Sequence, residues 1–303
     1  MSERMDCPDT RKYELLLAAV ISARATAFIF SKMILEEISP FNLLAVRFLI
    51  AFCLLAVLFH RELKKVTGRT LLSGMAIGTM FFLTMSCEMT ALKQADSSLV
   101  SLLENCAVIF VPIFEMVLFQ KLPNRVTVAS TAVAMAGVVL LAMQQGELRG
   151  GFTFGLLAGV CYALAIIVTE KLSRGGGSAL AIGIIQVGTM GALALVSALI
   201  WERPRLPDTG AQWLMLAMLI LVCTGFGFTL QPVAQSHLPA ERAGVFCALS
   251  PAIAALLGVV VLREKLGVLG GIGLILILAS ISLPYLKVFQ RERVSDMTGG
   301  ERE

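Results

Sequence analysis

Four ionisable residues stand inside long apolar stretches: Arg24, Arg47, Glu88 and Glu104. A charge in a spanning helix is costly, so each reads as a site residue whose partner has to be found. At about 1.5 Å of rise per helical residue, their distances from the polar breaks in the chain give their depths. With the N-terminus in the cytoplasm, Arg24 falls about 10 Å and Arg47 about 9 Å from the outer ends of the first two stretches. Glu88 falls roughly 5 Å and Glu104 on the order of 10 Å from the outer ends of the next two. Two cations and two anions from four helices therefore share one slab, and a polar cavity between those helices is expected.

The chemistry follows from the residue types. Guanidinium forks match carboxylates and phosphates, so Arg24 and Arg47 could face an anionic substrate group. Glu88 or Glu104 could take a substrate amine or carry a coupling proton. A structural ion-pair cluster is the other reading of the same four residues. Glu115 is 11 residues beyond Glu104. That spacing puts both on one helix face, with Pro112 between them. Glu115 could line a pathway or snorkel towards Lys121. The second half of the chain is milder, offering Tyr162, Gln186 and Gln231 as neutral hydrogen-bonding groups or as packing residues.

The elements that carry these residues are legible from hydropathy. Of 303 residues, 57% are hydrophobic and 15% charged, and the mean hydropathy is +0.84. A soluble domain is nearer a quarter charged. A helical crossing takes about 20 apolar residues. Ten stretches qualify: 14–31, 41–59, 71–91, 97–119, 124–143, 151–171, 179–201, 211–235, 240–262 and 266–286. The fold class is all-α, a polytopic membrane protein with ten transmembrane helices. The breaks between stretches are too short for a soluble catalytic domain. Residues 1–13 and 287–303 read as polar tails. No cleavable signal peptide is evident, and the first stretch reads as a retained helix.

Of 25 Lys and Arg, 16 fall on the N-terminal side of this topology and 7 on the other, with Arg24 and Arg47 inside helices. The positive-inside rule then places both termini in the cytoplasm. The basic loop 60–70 is a topology signal rather than a nucleic-acid patch. The seven cysteines show no paired spacing and read as small buried hydrophobes, not as a disulfide framework or zinc site. No cofactor is implied. Gly74-xxx-Gly78, Gly155-xxx-Gly159 and Gly267-xxx-Gly271 let helices approach closely, within one subunit or, for the last pair, across a homodimer.

The chain also resembles itself. LFQKLPNRVTVASTAVAMAGVVLL matches VLREKLGVLGGIGLILILASISL, with Gln120, Lys121 and Leu122 against Glu264, Lys265 and Leu266, a shift of 144. Lys32 and Arg47 share their 15-residue spacing with Lys171 and Gln186. The expected repeats are 14–143 and 151–286, of five helices each. An odd number of crossings inverts the second copy, and such symmetry commonly frames a substrate site between two halves.

SKMILEEISPFNLLAVRFLIAF, TALKQADSSLVSLL and SPAIAALLGVVVLREKLGVLGGIGLILILAS resemble the EamA-type members of the drug/metabolite transporter superfamily. The resemblance runs over about 14–286. It implies ten helices in two inverted five-helix repeats and export or exchange of small metabolites. Arg24-Ala25 stands where family members commonly carry an aromatic-Gly pair, and Ala107 where a Pro is usual. Arg47 belongs to an Arg-Phe pair common across the family.

The expected function is alternating-access transport of a small polar or zwitterionic metabolite, such as an amino acid, across the cytoplasmic membrane, as an exporter. Proton coupling is one option for the carboxyls. An intramembrane enzyme or a receptor or scaffold is the alternative. Against the enzyme, His60 and His237 fall at loop edges, Asp96 and Asp208 lie in loops, and no H-E-x-x-H occurs. No channel selectivity filter is readable.

Overall fold

In a computed structural model, residues 8–120, 150–173, 178–238, 249–263 and 267–280 except 277 are described, together with 128–129, 132–133, 136–137 and 139–140. Everything described is helix, turn or short loop. Seven helices are long and apolar enough to cross a membrane: α1 (Lys12–Leu35), α2 (Pro40–Leu58), α3 (Gly68–Leu92), α4 (Ser97–Leu118), α5 (Gly151–Ser173), α6 (Ala179–Trp201) and α7 (Gly210–Gln235). Two shorter apolar helices follow, α8 (Leu249–Val261) and α9 (Val268–Ser280). The stretch expected over 124–143 lies largely outside the described residues, as do the starts of those at 240–262 and 266–286. Leu54, Val57, Leu72, Val196, Leu199 and Ile200 are exposed on the outer faces. That apolar girdle is what lipid contact requires, because helices satisfy their own backbone groups and leave only side chains to meet the bilayer.

The helix ends differ from expectation for physical reasons. The first stretch was expected to end at residue 31, before Lys32. The helix instead continues to Leu35. Lys32 runs its aliphatic stem along the bundle and donates from Nζ to the Ala95 carbonyl at 3.1 Å, with Asp96 at 3.4 Å. A snorkelling lysine does not end a helix. Arg24 is consequently on the order of 16 Å from the end of α1, close to mid-depth.

Close backbone approach sets the packing. A Cβ on Gly74 would lie 2.6 Å from the Ile185 side chain, and one on Gly78 would lie 2.7 Å from the Gln186 carbonyl, so these glycines seat α3 against α6. Gly155 and Gly159 do the same for α5 against Leu103 of α4. Both pairs serve contacts within the chain. Among the described residues, Gly271 has no heavy atom within 4 Å of such a Cβ.

Three of the spanning helices are irregular at one level. α1 is interrupted at Thr26, between Pro8–Ala25 and Ala27–Leu35. There the Ala23 carbonyl accepts from Thr26 Oγ1 at 2.8 Å and from Cys223 Sγ at 3.2 Å. α4 is interrupted at Cys106, between Ser97–Asn105 and Ala107–Phe119. α7 passes through ten residues of π-helix, Leu219–Phe228, before returning to α-helix at Thr229–Gln235 around Pro232. π-helical turns are rare and gather at functional sites. Irregular backbone at membrane depth is tolerated where it is buried or lines a cavity.

Both ends of the bundle are tied. At one end the Glu202 carboxylate accepts from the Phe41 and Asn42 backbone N–H groups at 3.0 and 2.8 Å, at the start of α2. An anion is favoured at a helix N-terminus. Asn42 also donates to the Arg203 carbonyl at 2.9 Å, and Gln212 donates to Glu37. At the opposite end the Tyr13 and His237 rings stack at 3.7 Å, inclined by 5°.

Candidate functional site

The helix breaks frame one cavity. Its lining includes Arg24 and Ile21 from α1, Arg47 from α2, Met85 and Glu88 from α3, Glu104 and Asn105 from α4, Tyr162 from α5, Phe228 from α7 and Ser250 from α8. The space open to the centre of a water is about 20 Å³, room for roughly one or two waters.

Arg24 sits two residues before the break in α1, where Gly227 clears its path. A Cβ at position 227 would come within 2.8 Å of Arg24 Cγ. One terminal nitrogen of Arg24 donates to the Tyr162 hydroxyl at 3.0 Å and to Gln231 Oε1 at 2.7 Å. The other lies 3.9 Å from Glu104 Oε1. The guanidinium plane also covers the Phe228 ring at 4.2 Å, a cation–π arrangement. One side chain thus joins α1, α4, α5 and α7.

Arg47 is engaged differently. It is 1% exposed. Its Nε donates to Thr224 Oγ1 at 2.7 Å, inside the π-helical segment. Its guanidinium lies 5.0 Å from the Phe48 ring centre and 5.8 Å from that of Phe228. Both terminal nitrogens are buried and have no hydrogen-bond partner among the described residues. Phe228 therefore faces both cations, and it is held edge-on by Phe48 and Phe81 at 5.5 and 5.4 Å.

Glu88 and Glu104 are each 2% exposed. Glu88 Oε2 and Glu104 Oε2 are buried and have no hydrogen-bond partner among the described residues.

Of the residues singled out from sequence, Arg24, Arg47, Glu88, Glu104 and Tyr162 line this one cavity, and Gln231 joins it through Arg24. Gln186 does not line it. It is fully buried in α6, and neither amide atom has a hydrogen-bond partner among the described residues. Glu115 is half-buried in the second segment of α4 and does not line the cavity. Thr224, Phe228, Asn105 and Ser250 were not expected. Asn105 is adjacent to Glu104, which was a usable signal. Thr224 is 177 residues from Arg47 and gave none.

The model of the EamA-like transporter family matches residues 11–143 and again 149–286. The chain belongs to the EamA-like transporter family. This transporter is 28% identical over 293 residues to a protein of Archaeoglobus fulgidus described as an uncharacterized transporter, covering 92% of this chain and 99% of the relative. A second Archaeoglobus fulgidus protein with the same description is 26% identical over 217 residues, covering 72% of this chain and 76% of the relative. One solved crystal structure superposes with a TM-score of 0.68 at 17% identity, over 94% of this chain and 99% of its own, which establishes the shared fold. The family match places the chain in the drug/metabolite transporter superfamily, as the sequence resemblance implied. The apolar helices and the family together make it a multi-pass membrane transporter.

Proposed function

We propose that this chain exports a small polar or zwitterionic metabolite, such as an amino acid, across the cytoplasmic membrane by alternating access. The observation that carries this reading is the small, charged cavity beside the breaks in α1, α4 and α7. It is too small for a metabolite while both ends of the bundle are tied. Substrate must therefore enter by parting one end and leave by parting the other. In this reading ten helices form two inverted five-helix repeats. Two successive family matches of similar length and the odd number of crossings in each half support it. Both termini are cytoplasmic, on the 16-to-7 distribution of Lys and Arg. Arg24, Arg47, Glu88, Glu104, Tyr162 and Gln231 form the substrate site, with Gln186 behind it in α6.

The acid pair supplies the coupling. In this reading the two buried acids hold one proton between them, and a substrate amine arriving there replaces it, since two carboxylates and an ammonium carry the same net charge as a singly protonated pair with no amine. Binding on one side then releases a proton, and substrate release on the other side takes one up.

Flux in reconstituted vesicles, screened over amino acids, nucleosides and toxic analogues, tests the reading. Transport of none of them above empty vesicles would end it. Cysteine labelling should find position 65 on the cytoplasmic side and 147 outside. For the coupling, Glu88→Gln should keep the shape of the side chain but remove the exchangeable proton. A pH gradient should drive uphill transport in the wild type. In Glu88→Gln only downhill exchange should remain, with no proton movement detected by a dye inside the vesicles. Proton movement at the wild-type ratio in that variant would remove Glu88 from the coupling.

A further inference from the structure

We propose that Arg47, not the more conspicuous Arg24, is the receptor for a carboxylate on the substrate, and that Arg24 is a positioning residue. This rests on the transporter reading and goes beyond it by dividing the labour between the two cations.

The division follows from what each guanidinium already touches. Arg24 has its terminal nitrogens directed at Tyr162, Gln231 and Glu104 and its face on Phe228. A ligand anion could reach it only by displacing those groups. Arg47 is anchored from behind. Thr224 takes its Nε, and Phe48 and Phe228 bear on its guanidinium. Arg47 lines the cavity, and its two terminal nitrogens are buried and without a hydrogen-bond partner among the described residues. Buried charged donors that make no hydrogen bond are expensive, and an incoming acceptor recovers that cost. The two ends of a guanidinium present parallel N–H groups that fit the two oxygens of a carboxylate.

Charge selects a monoanion. Arg24 and Arg47 contribute two positive charges, and Glu88 and Glu104, taken as in the coupling reading above to hold one proton between them, contribute one negative. One carboxylate brings the enclosed site to neutrality, whereas a phosphate dianion overshoots it. The other titratable groups facing Arg47 are Cys223 on α7 and Glu88 on α3. Beyond the polar Asn105, Ser250 and Tyr162, the rest of the lining, including Ile21, Phe28 and Met85, is apolar. The ligand is thus a small carboxylic acid with an apolar end, with or without an amine.

Three probes of one shape separate the groups: leucine, 4-methylpentanoate, which lacks the amine, and 3-methylbutylamine, which lacks the carboxylate. Kd is read from thermal protection of the purified full chain, and KM from vesicle flux. Leucine and 4-methylpentanoate should bind the wild type and 3-methylbutylamine should not. Arg47→Gln should weaken both acids at least tenfold. Thr224→Val, near-isosteric and keeping both arginines, should raise KM severalfold with little change in maximal rate, and it carries the test if Arg47→Gln does not fold. Arg24→Ala should weaken both acids less than Arg47→Gln does, while losing turnover.

Wild-type Kd for leucine in Arg47→Gln, wild-type KM in Thr224→Val, or binding of the amine as tight as the acids would each overturn the assignment. So would binding of none of the three probes. In that last case flux of other compounds in the broad screen would leave the transporter reading standing, whereas no flux of any compound would remove that reading too.

Discussion

Arg24→Ala is expected to abolish transport and to lower the melting temperature while still yielding folded protein. The side chain ties four helices through two hydrogen bonds, an ion pair and a ring face. Hydrogen bonds from a charged group contribute about 1.5–3 kcal/mol each. A desolvated cation–π contact adds up to about 2 kcal/mol. Loss of the whole set would exceed the stability of many domains, but two effects offset part of it. The buried guanidinium no longer has to be desolvated, and Glu104 can take up a proton instead of standing alone. Ala is also a good helix former, so α1 persists. Arg24→Lys should not restore transport. A point charge cannot reach Tyr162, Gln231 and Glu104 together while lying flat on Phe228. Size-exclusion profile, melting temperature and vesicle flux on both variants decide the matter. Normal flux in Arg24→Ala would place the residue outside the transport cycle.

Gly159→Ala is expected to be among the most disruptive single methyl additions in the molecule. On propensity alone the change should stabilise a helix by about 1 kcal/mol. The added Cβ, however, would press on the Leu103 carbonyl oxygen and lie 3.3 Å from that of Glu104. Those are backbone atoms and cannot swing aside, so α5 and α4 must separate. Overpacking of that kind costs about 1–3 kcal/mol. It also moves Tyr162 away from Glu104, since both ride on the displaced helices. The yield of monodisperse protein and its flux should both fall sharply. Gly271→Ala is the control. It has open space around the new methyl and should gain from propensity without loss. Equal behaviour of the two variants would contradict the close α4–α5 seat.

The spans were legible because a membrane leaves little freedom: a long apolar run can only cross, and its polar breaks mark the turns. The four buried charges were legible for the same reason. What sequence could not carry was the backbone between them. Pro112, the local helix breaker in the fourth stretch, lies inside Ala107–Phe119, whereas the interruption falls at Cys106. The interruption at Thr26 is held by Cys223, 197 residues away. The π-helical turns of α7 carry no marker of composition. Tertiary contacts make these features, so local pattern does not encode them. Gln186 shows the reverse case. The internal repeat pairs it with Arg47, but in α6 it is packed away from the cavity, so correspondence in the repeat did not bring correspondence in place.

The contact between Glu202 and the start of α2 has an optical consequence. The chain has 2 tryptophans, and both belong to that tied end. Trp201 lies 5.7 Å from the Phe41 ring, and Trp213 donates from its indole nitrogen to the Pro207 carbonyl at 3.0 Å. The opposite end is closed by Tyr13 and His237, which do not emit in the tryptophan band. Unlabelled protein excited at the red edge of indole absorption therefore reports on one end of the bundle alone. Parting α2 from the α6–α7 loop would lengthen the Trp201–Phe41 distance and shift the emission. Parting the other end would leave the spectrum still.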